Sequence, residues 1–179
     1  CHGTKGDGQG DLVKNEKFLG IVWEIPGKKE NRDRYGFKIF DAELELINEG
    51  DYPLPFEAKL SKIHEHHISA TGDYFLAVTE YEAPEKKKLF NRNLDYKALH
   101  IFHIAEDGLQ DFELDFKGKR IVAMEMSSND SSVFTITGIY GEMEGQGVQG
   151  IFHQRINVGT QEVLHEGFKD FDQEFDDIS

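Results

Sequence analysis

Three imidazoles crowd into four positions: His64, His66 and His67, with Glu65 between the first two. A neutral imidazole can ligate a metal or act as a base, and a carboxylate can complete either kind of site. Side chains alternate on an extended strand, so His64 and His66 are expected on one face and His67 on the other. Two histidines on one face supply half of a tetrahedral zinc site, and the remaining ligands would have to come from elsewhere. An internal copy of this segment carries Ala123 and Glu125 at the positions of His64 and His66. The cluster therefore does not belong to the repeat, which favours a functional role. The simpler reading is a polar strand with partly buried imidazoles.

Other candidates are weaker. His103, His153 and Asp41 stand at equivalent positions of successive repeats. A residue type that recurs in this way is expected to solve a structural problem, such as capping a turn. Gly6–Asp11 has the look of a calcium loop but lacks full oxygen-ligand spacing and a terminal bidentate Glu. Asp170, Asp172, Glu174, Asp176 and Asp177 read as solvated charge in an acidic tail. No Gly-x-Ser-x-Gly turn, phosphate loop or cysteine nucleophile is present. No catalytic residue is assigned and no cofactor is expected, while metal binding stays open.

The elements that must position these residues are strands. Phe18–Glu24, Phe75–Tyr81 and Phe134–Tyr140 match one another, and Ile39-Phe40-Asp41, Ile101-Phe102-His103 and Ile151-Phe152-His153 open a second matching set. An offset of 59 residues lays Ser69 on Ser128, Phe75 on Phe134 and Tyr81 on Tyr140. Polar turns at Ala70–Asp73 and Asn129–Ser132 make each pair a hairpin. The fold class expected is all-β, with consecutive antiparallel four-stranded sheets of β-propeller type. About eleven strands can be counted, or two and three-quarter units, with the first strand of unit one missing or lost in a Gly-rich lead-in over residues 1–14. The repeat domain spans residues 15–167. Residues 168–179 form an acidic tail or begin a further blade, and Phe168, Phe171 and Phe175 are spaced for one short amphipathic helix.

The 179 residues carry a formal net charge of −14. That balance excludes a nucleic-acid partner, because phosphate binding needs a positive surface. The basic run Lys86-Lys87-Lys88 is offset by Glu80, Glu82 and Glu85. No apolar run reaches the roughly 20 residues of a spanning helix. The single cysteine opens the chain at Cys1, with no Met before it. The chain thus reads either as a piece of a longer protein or as a processed lipoprotein with a lipid anchor at Cys1.

The strand–turn–strand layout, the FL-x-V/I inner strand and the IF-D/H strand resemble the blades of WD40-like and TolB-like bacterial envelope propellers. They also resemble uncharacterised propeller-like proteins of Bacteroidota type. The Trp-Asp dipeptide of WD40 repeats is absent, since Glu24 follows Trp23. The resemblance implies an extracytoplasmic, non-catalytic binding or scaffold module of the bacterial envelope that contacts a protein or glycan partner. The expected contact residues are Trp23, His64, His66 and Tyr140, beside the loops Glu82–Asp95 and Gly141–Gln149. The alternative is a metal-dependent hydrolase built on His64 and His66. An arc of fewer than four blades leaves apolar faces open, so either self-association or missing blades is expected.

Overall fold

The computed structural model describes residues 10–25, 32, 34–82, 95–105, 108–116, 118–128, 132–142 and 147–171. Twelve strands form three four-stranded antiparallel sheets, each a meander in chain order. The first sheet holds β1 (Gly10–Lys14), β2 (Leu19–Ile25), β3 (Arg34–Phe40) and β4 (Leu46–Pro53). A short 3-10 turn at Ala58–Leu60 leads into the second sheet, β5 (Ser61–Ile68), β6 (Tyr74–Glu82), β7 (Asp95–Ala105) and β8 (Gly108–Leu114). The third holds β9 (Lys119–Ser128), β10 (Val133–Glu142), β11 (Gly150–Asn157) and β12 (Glu162–Asp170).

The all-β, propeller-like architecture is therefore as the repeat implied, with one correction. The first unit is complete, because part of the supposed lead-in forms β1, paired with β2 from Gly10↔Trp23 to Lys14↔Leu19. At the other end, β12 runs to Asp170, so Phe168 lies in the last strand of the third sheet and not in the short helix that its spacing allowed. Residues 172–179, Gly6 and Asp7, Lys86–Lys88 and most of the two loops, all singled out in the sequence, lie outside the described residues.

The second sheet is sandwiched between the other two, and this explains its sequence. From Tyr74 to Val78 every side chain of β6 is fully buried, as expected of a strand covered on both faces. Tyr74, Leu76 and Val78 join Val22, Tyr35, Phe37 and Ile39 in one core, against the first sheet. Phe75 and Ala77 join Phe134, Ile136, Tyr140 and Phe152 in another, against the third. The first strands of the sheets, β1, β5 and β9, are neighbours in that order.

Turns were placed by their chemistry. At the β5–β6 turn Gly72 has φ +88, a conformation open to glycine at little cost. Ser69 Oγ accepts from Asp73 N (3.0 Å) across the same turn. Asp41 does cap a turn: its Oδ1 accepts from Glu43 N (3.0 Å) and Glu45 N (2.8 Å). Among the described residues no helix is long and apolar enough to cross a membrane.

Candidate ligand-binding cleft

The imidazole cluster sits on β5, the strand that touches both neighbouring sheets along their inner edge. Its alternation is broken. Ile63 pairs with Val78 and Glu65 with Ala77, so His64 is the extra residue of a β-bulge. His64 Nε2 lies 2.8 Å from Thr79 Oγ1, and Thr79 belongs to the face of β6 that carries Phe75 and Ala77. His66 turns to the opposite face, where its Nδ1 lies 2.5 Å from the Tyr74 hydroxyl. The expectation that His64 and His66 share a face fails for this reason: one inserted residue flips the register. His67 does point away from His66, with Nε2 2.8 Å from Ser128 Oγ on the third sheet. Among the described residues no three His, Cys, Asp or Glu converge to hold a metal ion.

Burial controls the charge of this strand. It pulls the His64 imidazole down to about 4, with Lys62 adding to the effect. It also lowers His66, against the opposing pull of the Asp11 carboxylate, and it lowers His67. All three imidazoles are thus neutral at neutral pH. Glu65 moves the other way, to about 7, because burial and the nearby Glu125 outweigh a 2.6 Å hydrogen bond from Met126 N to its Oε2.

Between the first sheet and β5 lies an open cleft of about 320 Å³, bordered by Asp11, Val22, Trp23, Glu24, Tyr35, Ile63, His64 and His66. Three of the four residues singled out in the sequence, Trp23, His64 and His66, meet here. They contribute unequally. His66 faces the first sheet. The Trp23 indole lies across Gly36 on the far side of that sheet, where a Cβ on Gly36 would stand 2.2 Å from the ring. Trp23 therefore borders the cleft without offering it an open aromatic face. Sequence reasoning missed Asp11, Glu24 and Tyr35. Asp11 and Glu24 carried one available signal: cross-strand pairing places Asp11 opposite Val22, so both share the inward face of β1 and β2 with Val22.

The fourth candidate, Tyr140, is elsewhere and fully buried between the second and third sheets. Its hydroxyl donates to Asp170, and burial together with that carboxylate pushes the phenol up to about 12. It is a core residue and presents nothing to a partner. His103 is also structural, its ring stacked on Phe75 at 4.5 Å. A further histidine, His100, went unnoticed. It is buried, with Nδ1 2.9 Å from Asp111 Oδ1 and Nε2 3.4 Å from Glu80 Oε2. Burial alone would lower its pKa, but the hydrogen bond and the surrounding carboxylates raise it.

No protein-family profile and no curated protein matches the chain. Solved structures do. A single-residue variant of Synechocystis apocarotenoid oxygenase matches with a TM-score of 0.53 at 10% identity, covering 84% of this chain and 35% of that one. Cobalt-substituted Synechocystis apocarotenoid oxygenase gives 0.51 at 10% identity, with the same coverage. A chimera of apocarotenoid oxygenase and RPE65 gives 0.53 at 10% identity, covering 89% of this chain and 39% of that one. The chain spans little more than a third of the length of these structures, and at such identity the likeness is one of fold. The expectation of a non-catalytic envelope scaffold is corrected by this comparison, since the proteins that share the fold are oxygenases.

Proposed function

We propose that the chain binds a small hydroxyl-bearing molecule in the cleft between its first and second sheets. The observation that carries this reading is the setting of His66. Burial keeps the Tyr74 phenol protonated, and in our reading its hydroxyl donates to His66 Nδ1, 2.5 Å away, with the imidazole proton on Nε2. The Asp11 carboxylate, which also borders the cleft, can only accept. A hydroxyl both donates and accepts, so it satisfies Asp11 and His66 together. An anion is disfavoured beside Asp11 and Glu24 in a chain of net charge −14. A few placed polar groups in a partly apolar cleft is the usual composition of small-molecule sites.

Calorimetry reads occupancy of the cleft directly, without relying on Trp23, whose indole lies on the far side of the sheet. Titration with a panel of simple sugars and polyols should give a saturable change for at least one member. That change should vanish in His66→Ala and Asp11→Asn. No saturable change across the panel, or one that survives both substitutions, contradicts the reading. Turnover at the same site is a second reading, favoured by the neutral imidazole facing a carboxylate, a pairing suited to proton transfer.

A further inference from the structure

We propose that His153 and His165 form a two-imidazole site for a divalent transition-metal ion on the outer face of the third sheet. The two residues lie on neighbouring strands, β11 and β12, and both are exposed. Phe152, Gln154 and Ile156 point into the core, so His153 points away from it. The ring centroids are 5.9 Å apart, with the planes inclined by 58°. A metal–nitrogen bond of about 2.0–2.1 Å puts the centres of two imidazoles on one ion about 5–6 Å apart. The observed spacing fits that range without movement of the backbone.

Two details of the surroundings support the assignment. His153 Nδ1 lies 3.2 Å from Thr137 Oγ1. With the threonine oxygen accepting, the lone pair of His153 is left on Nε2. Ligating histidines are commonly oriented this way, by a hydrogen bond from their other nitrogen. Opposite His153 stands Gly167, which has no side chain to fill the space between the rings. His165 Nε2 leans over it, 4.0 Å from the point a Cβ would occupy. Arg155 is paired with His165 and opposes a cation, whereas the acidic chain as a whole attracts one. Two protein ligands with water in the remaining positions make an open site, weaker than a closed set of four. Imidazole nitrogens suit zinc and copper ahead of magnesium or calcium.

The test is calorimetric titration of the untagged chain with Zn²⁺ near neutral pH. We expect one ion per chain and no binding of Mg²⁺. His153→Ala and His165→Ala should each weaken Zn²⁺ binding by at least about tenfold, as loss of one of two ligands requires. Thr137→Val should weaken it less, and Thr137→Ser should restore it. Both histidines are exposed, so the thermal melts of their variants should match the parent. Absence of Zn²⁺ binding overturns the proposal. So does binding that persists in the His153/His165 double variant, or binding that disappears in a His64/His66 double alanine variant.

Discussion

Phe75 and Phe134 hold the same position in successive repeats, and their rings touch, centroids 4.4 Å apart and planes inclined by 59°. The repeat thus builds its own interface. The second strand of one sheet presents a phenylalanine to its counterpart on the next, and both are fully buried.

Removing either ring should leave a cavity that neither sheet can close. Phe75→Ala and Phe134→Ala should each cost about 3–5 kcal/mol. The double variant should cost less than the sum, because the two rings share one contact. Urea denaturation of the two single variants and the double variant checks this. Strict additivity would mean the rings do not depend on each other.

Glu65 makes stability depend on pH. Its carboxyl titrates at about 7 in the fold against an ordinary 4.5, so the folded state holds the proton more tightly. Stability from this group is complete at low pH and is lost as pH rises from about 4.5 towards 7. Glu65→Gln should remove that loss. Denaturation at both ends of the window, on parent and variant, measures the difference. Equal pH slopes would show that Glu65 is ionised in the fold.

His64 acts in the opposite direction. Its imidazole titrates at about 4 in the fold against 6.5 ordinarily, so the unfolded chain binds the proton first. Stability should rise with pH between those values. His64→Asn should make this rise shallower, leaving in place the parts from His66 and His67, which burial lowers in the same direction, and the Glu65 contribution. A His64→Asn profile as steep as the parent's between those values would show that His64 carries none of the dependence.

Gly36 is held small by the Trp23 indole lying across it. Gly36→Ala should force the indole aside, at about 1–3 kcal/mol for overpacking, and shift the emission of Trp23. Unchanged stability and emission would mean the ring moves freely.

The parts of this fold that the sequence displays most plainly are the second strands of the second and third sheets. β6 is covered on both faces, β10 keeps its buried Phe134, Ile136 and Tyr140, and their match at an offset of 59 residues is visible by inspection. β1 is not, because Gly10-Asp11-Leu12-Val13-Lys14 holds two apolar residues and begins in a Gly-rich stretch. β4 extends to Pro53 through Asn48, Glu49 and Asp51, an outer strand whose exposed side chains hide the alternation. The bulge at His64 follows from pairing with β6, which strand periodicity does not encode. The cleft is half legible for the same reason. His66 stands out locally, whereas Asp11 reaches it only when the first sheet packs against β5.

The most direct test of the cleft is NMR observation of the His66 imidazole while a hydroxyl-bearing ligand identified by calorimetric titration is added. The account predicts a neutral ring protonated on Nε2, with Nδ1 accepting from Tyr74, and ligand-dependent shifts at His66, Asp11 and Tyr35. A ring protonated on Nδ1, or ligand shifts that map away from these three residues, would contradict it.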